Sequence, residues 1–529
     1  MSISLTERRT VQLSYEPLRD LAELRRCITV ALAALDKRRD AIDTRWRYYS
    51  GDHDQLWVTS RLREVFGSSF SLKLHDNYCE LAVEAVTLRL AVEGWQLLAP
   101  APAPDDTTPG AEAAKAAALA TVQAVTTLWD ANQLDLLQEE VYRSAQVAGD
   151  HYVLVWPRYA NPDDPEDDTQ AQAEDGTLLW DITEQDARNV YLHTGTSPRD
   201  RQYAVKVWKD DAAKRWRATC YYADETVRLQ TLPGSTGATP PKADRFQLDA
   251  EDTGGDTPLG VVPVFRFARD RKRGRSRLDS LRPIQDKINK LSVGKIVAAE
   301  FAALKQRYAL LGEDVPDNVL KAIPGAVWKL PAGGPTEDDP SNPRTQVGEF
   351  SAADLAQFDS AKREEVDAFL TIGMLPRNLR ASAGGQASSG EQVTKDSGPF
   401  VSMVEDHQLM YGGTWRDVWD ALGYQVRPAW APAEFANAKA VAEEVKAYVD
   451  AGVPVEAALA WTGRTEEELA LVRRLLDEQA NRTASASANA LAALDDGTSA
   501  LARLRNGMTG DLPPEQVPPP APDAGAAGA

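Results

Sequence analysis

Few residues of this chain stand in a spacing that supports catalysis. Its five histidines, at positions 53, 75, 151, 193 and 407, are scattered, so a histidine-dependent site would have to be assembled from distant segments. The sequence contains no phosphate-binding G-x-x-x-x-G-K-[ST] loop, no G-x-S-x-G nucleophile elbow, no H-E-x-x-H metal motif and no paired C-x-x-C. We therefore predict a protein that is not an enzyme, with no catalytic residues, no metal site and no cofactor.

Two short segments could still hold a metal ion or a proton. Asp52, His53 and Asp54 stand together, and residues 161–176 (NPDDPEDDTQAQAEDG) are rich in carboxylates. The first segment is more typical of an exposed turn at a helix end. The second lacks the glycine-centred spacing of a calcium-binding EF-hand loop. It is more typical of a solvated tip between two strands.

One dense basic run, RDRKRGRSR, occupies residues 269–277 and holds six Arg or Lys against one Asp, a local net charge of +5. It directly precedes a predicted helix, and could form a basic collar that contacts DNA or an acidic neighbour. The slightly favoured alternative is a solvated loop, or pairing with the chain's own acidic surface. The candidate collar residues are Arg271, Lys272, Arg273, Arg275 and Arg277.

Composition narrows the classes of function. The net charge of −20 argues against a protein that clamps DNA by neutralising phosphates, although an acidic wall would let DNA slide past without sticking. Three scattered cysteines cannot form a disulfide framework. The N-terminus lacks an apolar signal core and no stretch has the length of a membrane span, so we expect a soluble cytosolic protein of more than one domain.

The first half of the chain reads as helices followed by strands. A helix is predicted from Leu21 to a stop at Ser50 and Gly51, a second over residues 77–95, and an alanine-rich helical stretch over 111–149. Short aromatic and β-branched runs separated by Asp, Pro and Gly then predict a β-rich block over residues 150–268.

Two long helices flanking a turn-rich insert are the most informative pattern. Apolar residues at three- and four-residue steps predict a helix from Asp279 or Ser280 to Arg307, roughly 40 Å long, provided that Pro283 lies in its first turn. A second helix over residues 351–374 should be its spatial partner. The insert between them has room for only short strands.

A third long helix should begin near Ser389, because Ser388 with Glu391 and Ser389 with Gln392 fit capping boxes. Gly398-Pro399 predicts a kink or break near residues 396–398. Trp415 and Trp419 at i, i+4 on its apolar stripe are more typical of a core than of a stacking platform. The chain after Pro428 reads as helical and acidic, and its Pro- and Ala-rich end as disordered.

In order and spacing these segments resemble the portal proteins of tailed bacteriophages, the head-to-tail connector ring. No single string is as specific as a phosphate-binding loop, but the likeness covers most of the chain. It is carried by RWRYYSGDH (45–53), NYCELAVEAVTLRLAVEGW (77–95), SRLDSLRPIQDKINKLSVGKIVAAEFAALKQR (276–307), LPRNLRASAGGQASSGEQVTKDSGPFVSMVEDHQLMYGGTW (375–415) and VPVEAALAWTGRTEEELALVRRLL (453–476).

The resemblance implies an α+β, mainly helical fold of portal type. Its expected parts are a wing at 1–270, with helices and the β block 150–268; a basic collar and first stem helix at 271–307; a small α/β clip at 308–350; a second stem helix at 351–375; a tunnel loop at 376–388; a long kinked wing helix at 389–427; a helical crown at 428–508; and a disordered tail at 509–529.

It also implies a function. The chain would form a homo-oligomeric ring, usually of twelve copies, at the capsid vertex of the virion, through which double-stranded DNA is packaged and ejected with weak contacts. It would be assembled in the host cytoplasm, away from membranes. Expected partners are the terminase large subunit, the major capsid and scaffolding proteins, and head-completion or adaptor proteins.

The resemblance implies sites as well. The expected channel-loop residues are Arg377, Asn378, Arg380, Gln386 and Ser388. The expected clip docking residues are Glu313, Asp314, Asp317, Trp328 and Lys329. The alternatives are another virion structural protein without a DNA channel, such as a minor capsid or internal head protein, and a DNA-processing enzyme whose site has no recognised motif.

Overall fold

The structure of this 529-residue chain is a computed structural model that mixes helix and sheet, with more helix than strand. This confirms the α+β class. Its contacts divide the chain into two compact units, Met1–Phe435 and Ala436–Ala529. The described residues are 15–54, 76–99, 108–161, 169–235, 237–270, 274–303, 307–310, 346–349, 355–376, 390–434, 438–461 and 472–474.

Helix α1 (Leu21–Tyr49) begins where the Asp20 side chain accepts a hydrogen bond from the backbone N–H of Glu23. It ends as predicted, with Ser50 as its C-cap and Gly51 at a positive φ of 78°. Its buried residues recur at three- and four-residue steps and pack the first half of the helix against a β-sheet. These residues are Leu24, Ile28, Ala31 and Leu35.

The second predicted helix, over residues 77–95, is wrong in its second half. Helix α2 (Tyr78–Thr87) stops early, and strand β1 (Val92–Leu97) follows it. Strand β1 pairs antiparallel with strand β13 (Val426–Trp430), which lies more than 300 residues further along the chain. Because that partner is remote, the local apolar pattern gives no sign of the strand.

The alanine-rich stretch forms two helices, α3 (Pro109–Ala131) and α4 (Leu134–Ala148). Gln133, between them, has a left-handed backbone with φ 51°. The side chain of Asn132 stabilises this break, since its Nδ2 donates to the carbonyls of Leu128 and Trp180, each at 2.8 Å.

The β-rich block is confirmed, and all of its strand pairs are antiparallel. Its strands are β2 (Asp150–Pro157), β3 (Trp180–Gln185), β4 (Val190–Thr194), β5 (Arg201–Asp210), β6 (Arg215–Tyr221), β7 (Glu225–Gln230), β8 (Gln247–Leu248), β9 (Gly254–Asp256) and β10 (Val264–Ala268). One sheet has the order β10-β2-β3, and the other has the order β4-β5-β6-β7-β8 with β9 also paired to β7.

The acidic segment 161–176 joins the neighbouring antiparallel strands β2 and β3, as predicted for a tip between strands. Isolated bridges of Tyr159 with Gln170 and of Gln172 with Leu178 extend the pairing toward the tip. Residues 162–168 of this segment lie outside the described part of the chain.

The first long helix is shorter than predicted. Helix α5 (Arg282–Ala303) follows a separate turn of 3₁₀ helix at Arg277–Asp279, and it keeps Pro283 in its first turn. Arg307 does not end a helix but begins strand β11 (Arg307–Leu310), which pairs with strand β12 (Gln346–Glu349). Helix α6 (Leu355–Ile372) follows, so two short strands hold the ends of the insert together.

Helix α7 (Gly390–Ala421) is continuous through Pro399. Of the kink or break predicted near residues 396–398, the break is therefore absent and the kink remains a prediction. Gly398 has no Cβ, which relieves the clash that proline makes with a preceding helical residue. Most of its predicted apolar stripe is buried, namely Phe400, Val404, Tyr411, Trp415, Val418 and Trp419, whereas Met403 and Leu422 are half-buried.

The predicted core role of Trp415 and Trp419 is confirmed, because both side chains are fully buried. Trp415 donates its indole N–H to the Tyr142 hydroxyl at 2.7 Å. Tyr142 stacks on Tyr411 with a centroid distance of 4.8 Å. The hydroxyl of Tyr411 in turn accepts from Nε2 of Gln146 at 3.0 Å. This aromatic cluster joins α4 to α7.

The second unit contains helices α8 (Ala438–Asp450) and α9 (Val455–Trp461). This unit begins at Ala436, whereas Pro428 lies in β13 opposite Trp95 in the first unit. The crown at 428–508 remains a prediction.

Among the described residues no helix is both long and apolar enough to cross a membrane. Within the same residues no cluster of three or more His, Cys, Asp or Glu side chains could hold a metal ion.

The end of α4 gives a test of the packing between α4 and the chain before α5. Gly149 has φ 93°, and a Cβ there would lie 2.7 Å from the backbone carbon of Gly274. Gly423 has a similar φ of 88°, but a Cβ there would meet nothing within 4 Å. Both Ala substitutions carry a left-handed backbone cost of about 1 kcal/mol. Gly149→Ala should lower the free energy of unfolding by roughly 1–3 kcal/mol more than Gly423→Ala does, because its Cβ also crowds the backbone of Gly274.

The measurement is urea unfolding of the two full-length variants beside the wild type. Equal decreases in the free energy of unfolding of the two variants would contradict the close backbone approach at Gly149.

Candidate functional site

Helices α5 and α6 form an antiparallel hairpin. The two helices are about 33 Å and 27 Å long at 1.5 Å per residue. Their sides meet closely at Gly294, where a Cβ would lie 3.1 Å from the ring of Phe358. This confirms the predicted pairing of the two long helices around the insert.

Ion pairs follow the seam of the hairpin. Lys295 pairs with Asp359 at 2.6 Å and Lys287 with Glu365 at 3.4 Å. Both pairs are partly exposed, so each contributes little to stability and serves mainly to set the register. The end of α6 near the body of the protein buries Val366, Phe369 and Leu370 in the main core.

The hairpin is fixed to the body at the turn before α5. Ser276 caps this turn, and the Asp279 carboxylate accepts from the backbone N–H of Ser276 at 3.0 Å. Asp279 also accepts two hydrogen bonds from Arg45 of α1, each at 2.8 Å. The guanidinium of Arg45 also donates to the backbone carbonyls of Ala148 and Gly274. One buried guanidinium therefore joins α1, α4 and the start of the hairpin.

A second connection involves His53, which was expected to lie in an exposed turn. That expectation is wrong, since His53 is buried and its ring stacks on Tyr48. Its Nε2 is 3.1 Å from the Tyr48 carbonyl and its Nδ1 is 2.8 Å from Nδ2 of Asn289 on α5. Asn289 also accepts a hydrogen bond from the side-chain amide of Gln285. Gln285 in turn donates to the carbonyl of Asp76 and accepts from the backbone N–H of Tyr78.

Arg277 also differs from the prediction. It was a candidate for the exposed collar, but it is 3% exposed. Its guanidinium donates to the carbonyl of Ala82 in α2 and to the carbonyl of Gly373 just after α6, both at 2.7 Å. A third contact reaches Sδ of Met403 in α7 at 2.9 Å. Burial lowers the pKa of Arg277 to about 9, which leaves it protonated at neutral pH.

We call the set of Arg277, Ala82, Gly373 and Met403 the arginine junction. The cation lies at the C-terminal end of α6, where the helix dipole favours positive charge. Gly373 is also held by its own N–H, which donates to the Phe369 carbonyl at 2.9 Å. The junction therefore sets where α6 ends and where the chain leaves the hairpin.

The rest of the basic run is only partly described. Asp270 lies 3.5 Å from Arg269 and 3.7 Å from Arg275, so the run is partly neutralised from within. The side chain of Arg275 is 60% exposed and could meet an external partner. The other collar candidates, Arg271, Lys272 and Arg273, lie outside the described residues.

The expected channel-loop and clip residues also fall outside the described residues. The structure describes the chain that borders these segments. Gly373–Pro376 precedes the loop, and the β11–β12 pair forms the base of the insert. These predictions therefore remain predictions. The loop set is Arg377, Asn378, Arg380, Gln386 and Ser388, and the clip set is Glu313, Asp314, Asp317, Trp328 and Lys329.

The other described histidines are not brought together. His151 contacts Glu184 at 3.1 Å, and His193 stacks on Tyr203. His407 is buried beside the arginine junction, where its Nδ1 bonds the Met403 carbonyl at 2.6 Å. Burial lowers the pKa of His407 to about 4, so it is neutral at pH 7 and cannot serve as a general acid there.

Sequence reasoning missed the residues that fix the hairpin, Arg45, His53, Arg277 and Asn289. The one local signal was Ser276 followed three residues later by Asp279, a capping pattern at the start of the turn. Nothing local indicates which carbonyls a buried arginine will reach.

No protein-family model matches the chain. The chain is similar to the portal protein of Mycobacterium phage L5, with 25% identity over 362 residues. The match covers 65% of this chain and 64% of the phage L5 protein. It confirms the resemblance to phage portal proteins that the sequence predicted.

The arginine junction predicts a large difference between two neighbouring arginines. Arg277→Met should destabilise the protein by about 2–4 kcal/mol, because it leaves the carbonyls of Ala82 and Gly373 buried without donors. Arg275→Met removes the same side chain two residues away, where it is exposed, and should change stability by less than about 0.5 kcal/mol.

Urea unfolding of both variants measures the difference. A loss at Arg277 no larger than that at Arg275 would show that the buried hydrogen bonds do not hold the hairpin in place.

Proposed function

We propose that this protein is the subunit of a phage portal ring, a structural channel at a capsid vertex through which double-stranded DNA is packaged and later ejected. The observation that carries the proposal is the similarity to the phage L5 portal protein, which covers 65% of this chain. Under this proposal the chain catalyses no reaction and needs no cofactor.

The hairpin supports assembly into a ring. A rigid rod of two paired helices, repeated by rotation, offers the same side-to-side contact to each neighbour, and such a heterologous interface closes when the rotation closes. Ile372 and Met374, at the end of α6, are 53% and 52% exposed. A neighbouring copy that covered these two side chains would remove apolar surface from water.

We assign the segments accordingly. The body up to residue 270 is the wing, α5 and α6 are the stem, residues 308–350 are the clip, residues 376–388 are the tunnel loop and α7 is the long wing helix. The chain after β13 is the crown, with the Pro- and Ala-rich end as its tail. The clip would dock the terminase large subunit during packaging and head-completion or adaptor proteins afterwards. The capsid and scaffolding proteins would surround the wing.

Charge fits a channel that DNA passes through. A net charge of −20 disfavours tight binding of a polyanion, so DNA can move without being held. Sparse contacts would come from the Gly- and Ser-rich loop, in which Arg377 and Arg380 can meet phosphates transiently.

Assembly is the first test. The purified full chain should form closed rings in negative-stain electron micrographs. Twelve copies of the 57.8 kDa chain would have a mass of roughly 0.7 MDa. Ile372→Glu with Met374→Glu should keep the thermal unfolding profile but lose the rings, because the charges oppose burial. The control is Leu119→Glu, a 69% exposed position on α3 outside the hairpin, which should still form rings.

A compact monomer at all concentrations, in virions as well as in solution, would rule out the portal assignment. Rings that persist in the double variant would instead rule out the end of α6 as part of the interface.

The channel loop is the second test. A variant that lacks Gly384 and Gly385 and carries Arg377→Gln and Arg380→Gln should form normal rings but package or retain less DNA, because its loop contacts are lost. The measurement is DNA content per particle after complementation of a phage that lacks its own portal gene. Unchanged packaging and retention would remove the loop from the mechanism.

A further inference from the structure

A cavity of about 190 Å³ lies where the β4–β5 hairpin, strand β10 and helix α7 meet. Its apolar walls include Leu192, Phe265 and Met410. The tip of the β4–β5 hairpin lies beside the cavity. It is held by backbone hydrogen bonds, among them one from the N–H of Gly195 to the carbonyl of Asp200 at 2.8 Å. On the α7 side, a Cβ at Gly413 would meet nothing within 4 Å, so this glycine faces open space.

One guanidinium in this cavity lacks a partner of opposite charge. Arg201 lies over the ring of Phe265, 4.2 Å from its centroid. Its Nε is shut off from solvent and, among the described residues, has no hydrogen-bond acceptor. Burial lowers the pKa of Arg201, which reflects the cost of holding its charge away from water.

The other two arginines in the lining are already paired. Arg199 lies 3.3 Å from Asp417, and Arg266 lies 2.6 Å from Asp150. Asp417 and Asp420 attract Arg201 from a longer distance, but in the described chain no carboxylate lies within ion-pair distance of it. A buried donor group without an acceptor is uncommon in folded proteins. In the described chain, Nε of Arg38, Arg215, Arg269 and Arg282 is unpaired as well, but of these five arginines only Arg201 lines this cavity. The cavity therefore offers its guanidinium space for an acidic ligand group.

We propose that this cavity binds an aliphatic carboxylate, with the carboxylate on Arg201 and the aliphatic stem against Phe265, Leu192 and Met410. The planar guanidinium matches the two oxygens of a carboxylate. The mixture of apolar walls and one convergent cation is the pattern of a small ligand site. All of the lining residues belong to one chain.

The test is thermal unfolding of the full chain in increasing sodium propionate, with sodium chloride added to hold ionic strength constant. The wild type should show a saturable rise in Tm. Arg201→Met should weaken the fitted dissociation constant at least about tenfold, the loss of one charge-assisted hydrogen bond. Arg201→Met should still fold, because Met fills similar space without a buried charge.

Gly413→Leu provides an independent variant that leaves Arg201 intact. Leucine is a good helix former and would occupy the open space, so this variant should also lose the propionate response. The controls are Gly110→Leu, at another helical glycine with open space around it, and Arg245→Gln, at an exposed arginine; both should respond as the wild type does. The absence of a saturable shift in the wild type, or equal shifts in the wild type and Arg201→Met, would overturn the proposal.

The carboxylate could be a free small acid or an acidic side chain of a second copy of this chain. Sedimentation of the wild type with and without saturating propionate distinguishes these sources. If a second copy supplies the group, propionate and Arg201→Met should each shift the protein toward smaller assemblies. If a free acid supplies it, assembly should be unchanged while the Tm response remains.

Discussion

The position of the α5–α6 hairpin depends on a positive charge buried where water cannot reach it. Arg277 is held by the carbonyls of Ala82 and Gly373 and by the sulfur of Met403. An arginine buried in this way is stable only if its donors are satisfied, so its presence fixes the relative positions of α2, the end of α6 and α7. Nonpolar packing has no direction and would allow these elements to shift relative to one another, whereas the hydrogen bonds of the guanidinium are directional and fix their positions.

Around that junction, the body is organised by large aromatic side chains. Trp415, Trp419 and Tyr411 of α7 meet Tyr142 of α4 and Trp129 of α3 within one core. The indole N–H of Trp415 donates to the hydroxyl of Tyr142, so the polar atoms of these two buried side chains are paired. The result is a stiff platform on one side of the hairpin.

The hairpin itself has a different balance of forces. Its far part is held by exposed ion pairs such as Lys295 with Asp359, which are individually weak. Its near part is buried among Phe369, Leu370 and Ile288. A rod fixed at one end and weakly held at the other suits the stem of the proposed ring. Its exposed apolar residues, Ile372 and Met374, lie next to the fixed end, where a neighbour could cover them without bending the rod.

The sequence alone determined the features that depend on short-range patterns. Periodicity and caps located α1, the two hairpin helices and α7, because apolar residues at three- and four-residue steps must share one face. Turn residues and β-branched runs located the strands of the β block. The order and spacing of segments were enough to indicate the resemblance to portal proteins.

Tertiary structure decided what depends on partners far away in the chain. Residues 92–97 form a strand only because Val426–Trp430 lies beside them. Pro399 stays within a helix although its local sequence disfavours it. Arg277 and His53 were expected at the surface, yet both are buried, since carbonyls and amides from distant elements satisfy their polar atoms. A pattern of residue types records polarity and spacing, whereas the burial of a charge depends on which groups the folded chain brings within 3 Å of it.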